Sequence, residues 1–191
     1  MIDLGTLPSG PFTARSQAFA INNRGQVVGN SRAADGRGHA VLWDHGAMFD
    51  LDALPGGSSS GPGGSDALDI NRRGEVVGLS ARVGESGDVN AALWQDGTMT
   101  ALGTLPDGVS SVANAINNRG QIVGVRHIPS DGPPFFRAML WQGNDVIDLG
   151  MLRGDVQSQA FDINNRGDIV GSSTNQSLQV TAVVWRKRQS Q

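Results

Sequence analysis

Two aspartates stand at equivalent positions of a repeated sequence, and they are the residues of this chain best placed to do chemistry. Asp69 and Asp162 occupy the position that Ala20 and Ala115 hold in two other copies of the repeat. Two carboxylates that approach one another can raise one pKa for general acid or base work, or can coordinate a hard cation such as Ca²⁺. The alternative is that each aspartate bonds the backbone of its own hairpin or of a neighbouring sheet.

A second candidate site lies in the third copy of the repeat, whose connection diverges most from the others. The residues that flank this connection are Arg126, His127, Phe135, Phe136 and Arg137. Arginine binds anions through two parallel hydrogen bonds, and aromatic rings stack on planar ligands. The set therefore suits an aromatic or anionic small molecule, with His127 as a further candidate for proton transfer beside the two aspartates. The alternative is a proline-stiffened insertion whose phenylalanines only cover the core.

Further polar side chains complete the candidate ligand-binding set. The chain has no cysteine and three histidines, and His39 lies six strand residues from His45, about 20 Å away, which is too far for joint chelation. We therefore expect no histidine-based metal site and no cofactor, with Ca²⁺ at the aspartates as the only cation considered. The remaining members of the ligand-binding set are Gln17, Asp66, Asn114 and Gln159, together with His39.

The elements that position these residues come from one repeat used four times. The pattern S-x-A-x-x-I-N-x-R-G-x-[VI]-V-G begins at residues 16, 65, 111 and 158, and an apolar strand ending in tryptophan follows each copy. A third block follows the tryptophan at residues 48–54, 99–105 and 146–152. Its fourth copy is found at the start of the chain, in residues 1–7, so the repeat is circularly permuted by one strand.

The repeat predicts an all-β fold, a four-bladed β-propeller with four strands in each blade. A glycine that can take φ > 0 marks each first hairpin, and no helical periodicity is present. Residues 1–7 are expected to pair with the last blade and close the ring, which removes an exposed edge. A β-solenoid or an open stack is the alternative. The expected blades are residues 16–54, 65–105, 111–152, and 158–187 with 1–7, within a single domain.

The repeat resembles the HAF repeat family over essentially the whole chain. The resemblance is carried by His-Ala-Val-Leu-Trp at residues 39–43, I-N-N-R-G-Q-V-V-G at 21–29 and D-L-G-T-L-P at 3–8. Only the first copy keeps the leading histidine, His39. The resemblance implies a propeller-like extracellular repeat protein, and it brings no catalytic residues with it.

Composition narrows the classes of partner. The net charge is −3 with acids and bases interspersed, so we expect neither nucleic acid nor anionic lipid as a partner. No window approaches the ~20 apolar residues of a membrane span, and no export signal opens the sequence. These features predict a cytoplasmic location, whereas the family resemblance implies an extracellular one.

The sequence leads to one main functional hypothesis and two alternatives. We expect a binding module that holds a small molecule, glycan or peptide at the channel mouth, on the face that carries the long connections. The alternative is a cofactor-free cyclase, isomerase or lyase, of the kind used in secondary metabolism, with Asp69, Asp162 and His127 moving protons. The third hypothesis is a scaffold that binds another protein.

Overall fold

The computed structural model describes residues 1–51, 64–81, 89–103, 110–128 and 135–186, which form four antiparallel β-sheets. Each sheet corresponds to one repeat, so the all-β prediction is confirmed. Within the described part of the chain no helix is long and apolar enough to cross a membrane. The first sheet holds β1 (Ser16–Ile21), β2 (Val27–Arg32), β3 (Gly38–Asp44) and β4 (Ala47–Asp50); the second β5 (Ser65–Ile70), β6 (Val76–Ala81), β7 (Val89–Gln95) and β8 (Thr98–Ala101); the third β9 (Ser111–Ile116), β10 (Ile122–Ile128), β11 (Phe135–Gln142) and β12 (Asp145–Asp148); and the fourth β13 (Asp155–Ile163), β14 (Ile169–Asn175) and β15 (Val180–Trp185).

The first hairpin of every sheet is built around an asparagine and a glycine. In the first sheet Gly25 has φ 79°, and Oδ1 of Asn22 accepts the backbone N–H groups of Arg24 and Gln26. Nε2 of Gln26 also donates to Oδ2 of Asp44 in the β3–β4 turn, at 3.0 Å. Both short turns therefore lie at the same end of the sheet, and the long connections lie at the opposite end, as the sequence predicts.

The glycine of each Val-Gly pair is required by close approach. The first strand of each sheet bulges opposite the second, so that Ala18 pairs with Gly29 but Ala20 pairs with Val28. A Cβ on Gly29 would overlap the backbone carbonyl of Gln17 on the neighbouring strand. The same clash would occur at Gly78, Gly124 and Gly171.

One kind of packing joins each sheet to the next. At the first junction Val28 and Ala40 of the first sheet bury themselves against Ile70 and Trp94 of the second. The first strands also contact one another in sequence, β1 with β5, β5 with β9 and β9 with β13. Equivalent apolar clusters form the second junction, around Val77, Ala91, Ile116 and Trp141, and the third, around Val123, Ala138, Ile163 and Ile169.

The two ends of the stack differ from the sequence-based expectation. The fourth sheet has three strands, and residues 1–7 form no strand. The N–H of Leu7 instead donates to Oγ of Ser31 in the first sheet at 2.8 Å, as the N–H of Leu152 donates to Oγ of Ser173 at 3.1 Å. Residues 3–7 thus contact the first sheet in the same way that the end of the third repeat contacts the fourth sheet. The structure does not confirm the predicted ring closure: among the described residues, the apolar clusters join the first sheet to the second, the second to the third and the third to the fourth, and none joins the fourth to the first.

Candidate functional site

Asp69 lies on β5 and joins two sheets. Its Oδ1 accepts the N–H of Ile70, and its Oδ2 accepts the N–H of Ile116 on the next sheet, both at 2.8 Å. Burial raises the pKa of Asp69, the two backbone hydrogen bonds oppose that rise, and the charge of Asp162 adds to it. The structure therefore gives Asp69 the backbone-bonding role that the sequence offered as the alternative to chemistry.

Asp162 holds the equivalent position on β13, but the described part of the chain forms no sheet beyond its own. Its Oδ1 accepts the N–H of Ile163 at 2.7 Å, and the residue is exposed. The charge of Asp162 reaches Asp69 across the convergent first strands, yet the described residues contain no group of three or more acidic or histidine side chains that could hold a metal ion.

Two arginines stand directly opposite one another on β10 and β11. The register of this ladder is regular and pairs Arg126 with Arg137. Side chains alternate between the faces of a strand, so both arginines share the face of Met139 and Trp141, which packs against the second sheet. The Nε atoms of both arginines are buried and find no hydrogen-bond acceptor among the described residues. Nη1 of Arg137 lies 4.0 Å from Oδ2 of Asp148, at the outer limit of an ion pair.

This arrangement is electrostatically unfavourable without an anion. Like charges directly opposite in a ladder destabilise a sheet. Phe135 is two residues from Arg137 on the same strand and so lies on the same face, where its ring can form an apolar wall beside the cations. The three side chains stand at the end of the sheet that carries the long connections.

The histidine of the same region faces the other way. His127 pairs with Phe136 in the ladder, and their rings stack with centroids 5.6 Å apart. Both side chains therefore lie on the face opposite the arginines, which is the face that packs against the fourth sheet. Nε2 of His127 is buried without a hydrogen-bond partner in the described part of the chain. The five residues that the sequence placed in one site are therefore divided between two faces, and residues 129–134 of the connection lie outside the described residues.

Two of the four polar residues predicted on the first strands form hydrogen bonds between neighbouring sheets. Asp66 accepts Nδ2 of Asn30 at 2.6 Å, and Nδ2 of Asn114 donates to the carbonyl of Ala160 at 2.8 Å. Gln17 lines a groove of about 570 Å³ beside Asn30, and Gln159 is half-buried on β13.

His39 is held between two carboxylates. Its Nδ1 lies 2.8 Å from Oδ2 of Asp50, and its Nε2 lies 3.2 Å from Oδ2 of Asp35. The hydrogen bond with Asp50 raises the pKa of His39 against the opposing effect of burial. Burial also raises the pKa of Asp35, but hydrogen bonds from Arg37 and His39 outweigh it and bring that pKa down to about 2. Both ring nitrogens are thus occupied, which leaves His39 a structural ion-pair role.

An asparagine ladder is the feature that reasoning from the sequence missed. The side-chain amides of the first three hairpin asparagines each donate to the backbone carbonyl of the counterpart in the next sheet. The bonds run from Asn22 to Asn71, from Asn71 to Asn117 and from Asn117 to Asn164, at 2.9, 3.1 and 3.0 Å. The signal was present, because all four copies carry this asparagine, but it was interpreted only as a hairpin residue.

Comparison with protein-family models gave no match, and none of the curated proteins is significantly similar to this chain.

Proposed function

We propose that this chain is a propeller-type binding protein that holds an anionic small molecule, a carboxylate or a phosphate ester, between Arg126 and Arg137. The observation that carries the proposal is the direct opposition of these two side chains, each with a buried Nε that lacks an acceptor among the described residues. An anion seated between them converts a repulsive pair into two charge-assisted contacts. The guanidinium fork suits the planar or tetrahedral oxygens of such a ligand.

Phe135 indicates that the ligand has an organic part as well as a charge. It shares the face of the two arginines, so its ring can cover the apolar portion of a ligand whose anionic group lies between them. The two arginines and Phe135 lie at the end of the third sheet where β10 and β11 are joined by the long connection, and there the sequence predicts a binding site.

The proposal also includes the way in which the four sheets are arranged. The successive contacts of β1, β5, β9 and β13 support sheets arranged about a common axis, as the blades of a propeller are. The resemblance to the HAF repeat family favours this arrangement and an extracellular location. The cofactor-free enzyme draws less support, because both carboxylate oxygens of Asp69 already accept backbone N–H groups.

Thermal unfolding with phenyl phosphate tests the binding proposal. A ligand that binds only the folded state stabilises it by about 2.7 kcal/mol at one hundred times its Kd. We expect phenyl phosphate to raise the Tm of the wild type, inorganic phosphate to raise it less, and neutral benzyl alcohol to leave it unchanged. Arg126→Gln and Arg137→Gln should abolish the shift.

Arg166→Gln is the matched control, because Arg166 is 82% exposed on a hairpin of the fourth sheet. It should keep the full response to phenyl phosphate. Without ligand, Arg126→Gln should equal or exceed the wild type in stability, because it relieves the repulsion. A loss of stability in this variant together with no response of the wild type to either phosphate would contradict the proposal and make the arginines structural.

A further inference from the structure

The structure forms three junctions between consecutive sheets. The outward face of the first sheet corresponds to one side of such a junction, and the outward face of the last sheet corresponds to the other side. Ile21, on the face we call the head face, is 69% exposed, whereas its counterparts Ile70, Ile116 and Ile163 are 5–6% exposed. Val170, on the face we call the tail face, is 47% exposed, whereas its counterparts are fully buried against a following sheet. Those counterparts are Val28, Val77 and Val123, each at 0%. The tail face also carries Val180 and Val184, at 68% and 48%.

The polar groups of the two faces match as well. At the second junction the carboxylate of Asp69 accepts the N–H of Ile116, from a repeat with alanine at the aspartate position. Asp162 on the tail face is the counterpart of Asp69, and Ile21 on the head face, preceded by Ala20, is the counterpart of Ile116. The same oxygen-to-amide bond is therefore available between the two ends of the chain.

A second series of bonds leads to the same match. A serine Oγ at the start of each following sheet accepts the N–H of an alanine in the Trp strand: Ala40 to Ser65, Ala91 to Ser111 and Ala138 to Ser158, at 2.8–3.0 Å. The next members of the series are Ala182 on the tail face and Ser16 on the head face. Both series of hydrogen bonds thus have their partners at the two end faces, although on the head face Val41 and Trp43 are already buried and only Ile21 is highly exposed.

The strand edges correspond too. Within the described residues, β15 has no outer strand like those that β4, β8 and β12 provide in the other sheets. Residues 1–4 match residues 146–149, and Met1 and Ile2 are highly exposed where they leave the first sheet. Since Ile147 stands opposite Leu140 in the β11–β12 ladder, the same register places Ile2 opposite Val184.

We infer that the tail face of one chain binds the head face of a second copy of this chain, whose residues 1–4 supply the missing fourth strand of the β13–β14–β15 sheet. Within the described chain, residues 3–7 are fixed to the first sheet, and Ile21 and Val170 both stay exposed, so the head and tail faces do not cover one another. Head-to-tail contacts of this kind close into a ring when the rotation between copies permits, and otherwise extend into a filament. The inference is independent of the anion site.

Disulfide trapping identifies which chain supplies the strand. The natural chain has no cysteine, so Ile2→Cys and Val184→Cys create the only thiols. In the double variant we expect mild oxidation to give covalently linked multimers on a non-reducing gel. A mixture of the two single variants should give a covalent dimer in high yield. A double variant that oxidises entirely within single chains would overturn the inference in favour of ring closure by the chain's own strand.

Native mass spectrometry of surface variants provides a second measurement that does not depend on cysteine. Val184→Arg and Ile21→Arg each block one face and should yield single chains, while Phe49→Arg, at an equally exposed apolar residue of β4, should keep the wild-type assembly. Mixing Val184→Arg with Ile21→Arg should restore a two-chain species, because one intact head face meets one intact tail face. Wild-type protein that is a single chain at every concentration, or an assembly unaffected by either arginine, would refute the inference.

Discussion

The carboxylate of Asp69 shows how one side chain can serve two sheets. Burial disfavours its charge, and the N–H groups of Ile70 and Ile116 compensate by donating to separate oxygens. The pKa is nevertheless raised, so burial outweighs the two hydrogen bonds. Removing one oxygen acceptor would leave a backbone N–H of the next sheet without its partner.

Asp69→Asn should therefore destabilise the protein by about 1–3 kcal/mol, because the amide offers one acceptor oxygen where the ionised carboxylate accepts two N–H groups. Since the pKa of Asp69 is raised above 3.8, the folded state holds this proton more tightly than the unfolded chain does. Its contribution is complete below pH 3.8 and falls as the pH rises through the raised pKa.

The cost of Asp69→Asn should accordingly shrink between pH 4 and pH 7, as measured by urea unfolding at each pH. Asp145→Asn on the exposed end of β12 serves as the control and should stay within about 0.5 kcal/mol of wild type at both values. A cost that grows with pH would mean that the folded protein lowers the pKa of Asp69.

Sequence reasoning found individual residues more readily than it found their neighbours. The alternation of aspartate and alanine was visible in the repeat, and so was the cluster of charged and aromatic residues around the third connection. The opposition of Arg126 and Arg137 was not, because it depends on the register of β10 and β11 across residues 129–134. That register also sends His127 to the opposite face, which divides the predicted site.

At the level of strands and hairpins, the asparagine ladder links local turns to sheet stacking. Asn71 accepts the N–H groups of Arg73 and Glu75 within its own hairpin and donates to the carbonyl of Asn117. Asn164 accepts the corresponding N–H groups in the last hairpin, but the described structure contains no sheet beyond it. The two asparagines therefore differ by one bond between sheets and by burial.

Asn71→Ala should cost more stability than Asn164→Ala, by about 1 kcal/mol, because only the first removes a hydrogen bond between sheets and leaves the buried carbonyl of Asn117 with the N–H of Gly120 alone. Chemical denaturation in a Val184→Arg background, which keeps the protein as single chains, gives the comparison. Equal costs in that background would mean that the bonds between sheets contribute nothing and that the asparagine serves only its hairpin.

The strands were predictable because their signals are local. Gly25, Gly74, Gly120 and Gly167 all adopt the positive φ that a tight first hairpin needs, and each Val-Gly glycine meets a carbonyl that excludes any larger residue. The closure by residues 1–7 was not predictable in the same way. It depends on the angle between sheets summed over three junctions, and no single residue in the repeat encodes that angle.

Considered as a whole, the described structure is a series of four sheets in which each packs on the next in the sequence. In such a series the stability is close to a sum of sheet and junction contributions, so the end sheets are the weakest. In the described part of the chain, the last sheet has neither an outer strand nor a following sheet that covers its exposed face. The second sheet has both.

Amide hydrogen exchange should reveal this gradient. In dilute protein β15 should exchange much faster than β6, and its protection should rise with protein concentration as a second copy covers it, whereas β6 should not change. Protection of β15 that equals that of β6 at every concentration would contradict the picture of an open end.

The alternation of aspartate and alanine along the first strands also sets a rule of parity. Asp69 serves its own sheet and the one after it, so the amide of Ile116 needs no carboxylate from its own repeat. The unit that satisfies every such amide is consequently two repeats long. A ring with an even number of sheets leaves each amide paired, whereas an odd number would force two like repeats together at one seam. Any evolutionary gain or loss of repeats that preserves this pattern should therefore occur in pairs.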